Sequence, residues 1–236
     1  HESRHFNGVR ITDAVALDCA QEAAGQLRFE IEAAISQGLP NTPMANATMR
    51  VVSGNFLTAK PIGIINGIDF QHSGTVRRVD TAGIQNAINS GAIVLLSPFG
   101  FSPTGEAFNL AMEEVATSVA IALQADKLIF LTEIPGIREN PDDLESPIDT
   151  ELALADAEKL LKRLPPAALP TDLGFYLQHC VKACRAGVER SHILPFAADG
   201  ALLMEVYTHD GIGTMLVDEK LEELREAGPD DVGGIL

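Results

Sequence analysis

Tryptophan is absent from this 236-residue sequence, aromatic residues make up only 5% of it, and basic residues are scarce. Lysine and arginine number 17 against 33 aspartates and glutamates, which gives a formal net charge of −16. Nucleic acid and anionic membranes repel so acidic a chain, so we expect neither as a partner. No apolar run approaches the roughly 20 residues that span a bilayer, and no signal-peptide pattern follows residue 1. We therefore expect a cytoplasmic protein.

Cysteine is also rare, and the three cysteines (Cys19, Cys180 and Cys184) show neither a C-x-x-C spacing nor a paired-histidine metal pattern. Reduced thiols are the prediction. Cys180 and Cys184 could share a helix face, but two thiols alone make a poor zinc site, so we predict no metal site. The P-loop, G-x-S-x-G and H-E-x-x-H patterns are missing too, which leaves no cofactor site of these kinds.

The residues that are present favour an α/β fold. Hydrophobic residues make up 46% of the sequence and are mostly aliphatic. Apolar runs of strand length, such as residues 127–132 and 191–196, alternate with helical periodicities. This alternation predicts a mainly parallel sheet with helices on both faces, in a three-layer α/β/α sandwich. Asn66-Gly67 between apolar residues predicts an inserted antiparallel hairpin.

One strand–loop–helix stretch, residues 93–109 and beyond, is the leading candidate for a site. An apolar run gives way to a Ser/Pro/Gly-rich loop, and helical periodicity begins at Asn109 with Glu113 and Glu114 in the predicted first turn. Such joints bind anions and small molecules in open α/β sheets. The alternative is an ordinary joint in which Asn109 is the helix N-cap.

Two further residues have more than one interpretation. Arg10 stands just before a long helical pattern with Thr12 or Asp13 as its N-cap, and is either a solvated surface charge or a carboxylate-binding group at the sheet edge. His192 lies within an apolar strand and is predicted to be a core or rim histidine, not a catalytic base. From the residues alone, the sequence predicts an α/β protein with a small-anion or amino-acid site.

Four segments resemble motifs of the amino-acid kinase family, and of its acetylglutamate kinase branch in particular. They are GVRITD at 8–13, NLAME at 109–113, LTEIPGI at 131–137 and EVYTHDGIGTM at 205–215. The resemblance implies that Arg10 and Asn109 line a residual kinase-like pocket, with Arg10 on a carboxylate. Three departures argue against kinase activity: Glu113 and Glu133 replace aspartates, and Tyr176 stands near the place of a catalytic lysine. The family's first strand, with its own lysine, would precede residue 1.

Further segments resemble the bacterial N-acetylglutamate synthase family more closely, at 10–14, 51–56, 72–74, 104–110, 181–188, 199–203 and 209–214. This resemblance implies that residues 1–217 form an amino-acid-kinase-like regulatory domain, without its first strand. That domain would bind L-arginine as feedback inhibitor and would help to assemble a homo-oligomer. Residues 218–236 would be the linker and the start of a truncated GNAT-type acetyltransferase domain.

The same resemblance implies an arginine site at Glu205, His209, Asp210, Gly211 and Gly213. The acids would meet the guanidinium, and the glycines would allow close backbone approach. The alternative is that the acids are solvated and the glycines only shape a turn.

The full protein would transfer acetyl from acetyl-CoA to L-glutamate in the first step of arginine biosynthesis. Its transfer site would follow residue 236, so we expect no catalytic residue and no activity in this chain alone. One alternative is a true acetylglutamate kinase that phosphorylates N-acetylglutamate with ATP. Another is a structural α/β domain without a ligand.

Overall fold

The structure is a computed structural model that describes residues 4–37, 49–140, 143, 145–166, 169, 173–207 and 212–218. Fourteen strands and six helices occur in these ranges. The strands are β1 (Arg4–Phe6), β2 (Val9–Ile11), β3 (Arg50–Val52), β4 (Leu57–Pro61), β5 (Ile64–Ile65), β6 (Ile68–Asp69), β7 (Ser73–Val79), β8 (Ala92–Val94), β9 (Phe99–Phe101), β10 (Ala107–Leu110), β11 (Lys127–Thr132), β12 (Glu151–Ala153), β13 (Arg190–Pro195) and β14 (Thr214–Val217). The helices are α1 (Ala14–Ser36), α2 (Thr81–Asn89), α3 (Met112–Leu123), α4 (Leu154–Arg163), α5 (Leu173–Arg185) and α6 (Ala201–Tyr207).

Aspartate caps fix the starts of the first two helices. Asp13 accepts a hydrogen bond from the Ala16 amide at 2.8 Å, and Asp80 accepts one from the Gly83 amide at 3.1 Å. Each carboxylate satisfies an N–H group that has no partner inside the helix. The predicted cap at Thr12 or Asp13 is therefore confirmed, at Asp13.

The strand β13 is the centre of the C-terminal sheet, whose order is β11-β13-β14-β12. The pairs β11–β13 and β12–β14 are parallel, whereas β13–β14 is antiparallel. Helices α3, α4 and α5 share one core with this sheet, in which Leu177, Ile193 and Leu216 are fully buried. His192, the neighbour of Ile193, points to the opposite face because side chains alternate along a strand. It contacts Glu205 of α6 there, so helices cover both faces.

Strands of the N-terminal part form smaller groups. Four of them close into a ring in the order β10-β7-β4-β9, and β3 pairs with β8 in parallel. The hairpin β5–β6 turns at Asn66 and Gly67, whose φ angles of 51° and 78° suit the two-residue turn that joins twisted strands. The predicted Asn-Gly hairpin is confirmed.

The α/β class and its parallel elements are confirmed, although the sheets are mixed. The strand–loop–helix prediction was wrong in one respect. Asn109 is not an N-cap but lies in β10, and α3 begins at Met112 after Ala111, which offers no capping side chain. The residues predicted as a loop contain β9 and β10, which pair with each other in antiparallel fashion.

Within the described ranges, no helix is long and apolar enough to cross a membrane. The three cysteines are free thiols, with Cys180 and Cys184 buried. No group of three or more His, Cys, Asp and Glu side chains in these ranges could hold a metal ion. Because residues 219–236 lie outside the described ranges, the domain boundary after residue 217 stays a prediction.

The buried core should dominate the free energy of unfolding. Leu177 on α5 is 0% exposed, whereas Leu203 on α6 is 63% exposed. We expect Leu177→Ala to cost about 2–5 kcal/mol, because it leaves a cavity in the core. The matched change Leu203→Ala should cost less than about 0.5 kcal/mol. Equilibrium denaturation in urea measures both, and equal losses would contradict this description of the core.

Candidate functional site

The structure brings Arg10 and Asn109 together. Both line a cavity of about 250 Å³, together with Glu113 and the backbone around Gly8. Arg10 is exposed and Asn109 is half-buried. Arg10 belongs to β2 and Asn109 to β10, so the two side chains come from distant parts of the sequence. A cavity with a cation at its mouth and an amide inside suits a small carboxylate, although its ligand stays a prediction.

A buried hydrogen-bond network links the Asn109 side chain to the Arg10 backbone. Asn109 Nδ2 donates to Thr12 Oγ1 at 3.1 Å, and Thr12 Oγ1 lies 3.0 Å from Ser73 Oγ. Ser73 Oγ donates to the Arg10 carbonyl at 2.6 Å and accepts from the Thr12 amide at 3.0 Å. Thr12 is 0% exposed and Ser73 is 2% exposed, so water does not compete for these bonds. The network therefore holds Arg10 and Asn109 in a fixed relation.

The structure has Tyr176 at the position expected for a kinase lysine. Tyr176 is buried on α5, and Glu113 is buried on α3. Burial raises the pKa of Glu113 above its usual value. Burial also raises the pKa of Tyr176, and the nearby carboxylates Glu113 and Glu133 add to that effect. Phosphoryl transfer needs cations on the moving phosphoryl group, and these side chains supply none.

A histidine and a glutamate form the most buried charged contact in the described structure. His192 Nδ1 donates to Glu205 Oε1 at 2.7 Å, with side-chain exposures of 3% and 6%. The Ile212 amide donates to the other carboxylate oxygen at 3.1 Å. The hydrogen bond from His192 holds the pKa of Glu205 below its usual range, against the effect of burial. Glu205 is therefore an ionised carboxylate that ties α6 to β13 and to the backbone at Ile212.

The histidine of this pair was assigned no binding role from the sequence, and its place in an apolar strand explains why. His192 is a core histidine, as predicted, but its Nε2 atom is buried without a hydrogen-bond partner among the described residues. A buried polar atom without a hydrogen-bond partner reduces the stability of the fold, so His192 Nε2 marks a place where a polar partner would be favourable. The available signal was a histidine inside a buried and mostly apolar strand.

The remaining predicted arginine-site residues divide into two groups. Gly213 is buried and packs on β13, so closely that a Cβ there would overlap the Ile193 carbonyl oxygen. This close approach requires a glycine at position 213, whether or not Gly213 also contacts a ligand. His209, Asp210 and Gly211 lie outside the described residues, so their assignment stays a prediction, as does a ligand role for Glu205.

Comparison with known proteins assigns this chain to a family. Residues 2–195 match the amino acid kinase family. The amino-acid acetyltransferase of Ralstonia nicotianae is 54% identical over 235 residues, which is 100% of this chain and 51% of that protein. That of Photobacterium profundum is 48% identical over 98% of this chain and 52% of its own length. The chain thus spans about half the length of the curated relatives it matches.

Solved structures agree with this comparison. N-acetylglutamate synthase from Neisseria gonorrhoeae, in complex with coenzyme A and L-arginine, superposes with a TM-score of 0.82 at 37% identity. The match covers 99% of this chain and 53% of that one. Giardia carbamate kinase superposes with a TM-score of 0.62 at 16% identity, over 86% of this chain and 74% of that one. At this low identity, the likeness shows the fold alone.

The buried His179 should make stability depend on pH. Its ring contacts Thr117 Oγ1 at 3.1 Å, and burial lowers its pKa from 6.5 to about 4, with a further contribution from Lys182. Because the unfolded chain binds this proton more readily, stability should be complete above pH 6.5 and fall as the pH approaches 4. The loss should reach roughly 3 kcal/mol at the lower end.

Chemical denaturation between pH 7 and pH 4 measures this loss. His179→Asn should flatten the dependence relative to the wild type, whereas Gln178→Asn, an exposed neighbour on the same helix, should leave it unchanged. Identical slopes for wild type and His179→Asn would show that this histidine is not the group responsible.

Proposed function

The chain belongs to the amino acid kinase family, and we propose that it is the arginine-binding regulatory domain of a bacterial N-acetylglutamate synthase. The full protein would transfer acetyl from acetyl-CoA to L-glutamate and would act as a homo-oligomer. The single observation that carries this proposal is the match of nearly the whole chain to about half of a synthase solved with L-arginine. Amino-acid acetyltransferases match over the same extent.

The Glu205 region supplies the chemistry that arginine needs. A guanidinium is best held by an ionised carboxylate, and the lowered pKa keeps Glu205 ionised at neutral pH. A carboxylate accepts up to about four hydrogen bonds, so the contacts to His192, Ile212 and Gly213 leave about one acceptor position for a ligand. His192 fixes the carboxylate in place. We therefore include His192 in the arginine site as a positioning residue.

Arginine binding should depend on this pair. Glu205→Gln keeps the shape of the side chain but removes its charge, so it should cost roughly 2–5 kcal/mol of arginine binding, which is a loss of about thirtyfold or more in affinity. Gly211→Ser and Asp210→Ala are each expected to weaken binding by at least tenfold. The measurement is titration calorimetry with L-arginine on the full-length protein.

Glu189→Gln, which neutralises an exposed acid just before β13, is the matched control and should bind as wild type does. Thermal melts with arginine, ATP and N-acetylglutamate extend the test, because only ligands of the folded state raise the midpoint. Unchanged affinity in Glu205→Gln, Asp210→Ala and Gly211→Ser would place the arginine site elsewhere. A shift with ATP but none with arginine would favour the kinase alternative.

The chain alone should catalyse neither reaction. The described pocket around Arg10 and Asn109 contains no lysine, and Tyr176 and Glu113 carry no positive charge toward a phosphoryl group. Acetyl transfer would belong to the other half of the protein. Assays for N-acetylglutamate from acetyl-CoA and for acetylglutamyl phosphate from ATP should therefore give no turnover. Steady turnover of either product, abolished by Asn109→Ala, would refute this expectation.

A further inference from the structure

A second cavity lies between α1 and the ends of β3 and β8. Its volume is about 290 Å³, and it shares no lining residue with the cavity at Arg10 and Asn109. Helix α1 contributes Gln21, Gly25 and Arg28. The remaining wall follows two parallel strands: Ser53 comes directly after β3, and Leu96 follows β8. The carboxyl ends of parallel strands are where open α/β sheets bind small ligands.

Two polar atoms of this wall are buried without hydrogen-bond partners among the described residues. They are Arg28 Nε and Ser53 Oγ. The nearest carboxylate to Arg28 Nε is Glu32, at 3.5 Å, in an ion pair without hydrogen-bond geometry. Buried polar atoms are satisfied in most proteins, so two unsatisfied atoms on one cavity indicate a missing polar ligand. The Phe29 ring lies 4.8 Å from the guanidinium carbon and steadies its position.

The charge of the lining indicates the sign of that ligand. Arg28 is a cation, and no acidic side chain of the described residues lines the cavity, although the whole sequence carries a net charge of −16. Glu32, the ion-pair partner of Arg28, does not line the cavity and makes no hydrogen bond to Arg28 Nε. The guanidinium therefore keeps donors for a carboxylate, which it can bind through two parallel hydrogen bonds. The other wall is apolar, with Leu57, Leu96 and Phe99 facing the same space. A ligand must therefore combine an anionic end with an apolar body.

We propose that this cavity is a binding site for a small carboxylate with an aliphatic body, distinct from the arginine site. The carboxylate would contact Arg28 and Ser53, and the aliphatic part would lie against Leu57, Leu96 and Phe99. The volume equals that of roughly ten water molecules at about 30 Å³ each, which suits a molecule the size of an N-acylated amino acid. The whole site lies within α1 and the N-terminal strands, far in sequence from Glu205.

Gly25 provides a direct way to fill the cavity. It lies on α1, lines the cavity, and a Cβ at this position would meet no heavy atom within 4 Å. A leucine there has open space to occupy, and leucine favours a helix over glycine. Gly25→Leu should therefore block the site without weakening the fold. Gln26→Leu adds the same side chain at an exposed neighbouring position and serves as its control.

The test uses N-acetyl-L-leucine as the probe and the neutral N-acetyl-L-leucinamide as the control ligand, with dissociation constants from ligand-observed NMR on the full-length protein. The wild type and Gln26→Leu should bind the acid alike and bind the amide at least tenfold more weakly. Arg28→Gln should lose at least tenfold in affinity for the acid, and Gly25→Leu should show no binding.

Melting curves confirm that each variant is folded. Arginine titrations on Gly25→Leu should match the wild type, which separates this site from the proposed arginine site. The proposal is overturned if the wild type does not bind the acid, if acid and amide bind equally, or if Gly25→Leu and Arg28→Gln both bind as the wild type does.

Discussion

The close approach of Gly213 to β13 is the constraint on which the C-terminal sheet depends. A Cβ at this position would overlap the Ile193 carbonyl oxygen and would lie 2.6 Å from a Leu194 side-chain carbon. Because glycine fits there, β14 pairs along β13 from Thr214 onward. Thr214 Oγ1 then accepts a hydrogen bond from the Ile137 amide at 2.7 Å, which draws in the loop after β11. Two of the motifs that carry the family resemblance, LTEIPGI and EVYTHDGIGTM, therefore meet at a single point.

Features set by neighbouring residues were the ones that could be predicted from the sequence. The Asn66-Gly67 turn follows from two residues that tolerate positive φ, and the Asp13 cap from a carboxylate one residue before a helical pattern. The buried strands β11 and β13 were evident as apolar runs. In each case the physical cause lies within about ten residues of chain, so no knowledge of distant contacts was needed.

Features set by distant contacts could not be predicted in this way. Asn109 is followed by helical periodicity, but its segment pairs with β7 and β9, and its side chain binds Thr12 across 97 positions of sequence. These pairings keep Asn109 in a strand, and the helix begins only at Met112. The same limit applies to His192 and Glu205, whose contact appears only once α6 is packed on β13. Arg10 and Asn109 were matched to one pocket by family motifs, and the geometry of that pocket came from the fold.

The electrostatics of the kinase-like centre favour binding over phosphoryl transfer. If a lysine stood beside Glu113, its charge would stabilise the carboxylate and oppose the rise in pKa that burial causes. Tyr176 offers no such charge, and burial raises the pKa of both side chains. At Glu205 the pattern is reversed: a hydrogen bond from His192 keeps this carboxylate ionised in a buried position. The fold thus keeps a stabilised buried anion at Glu205, where a cationic ligand is proposed to bind. At Tyr176 and Glu113 the described residues form no ion pair with a lysine of the kind that phosphoryl chemistry would use.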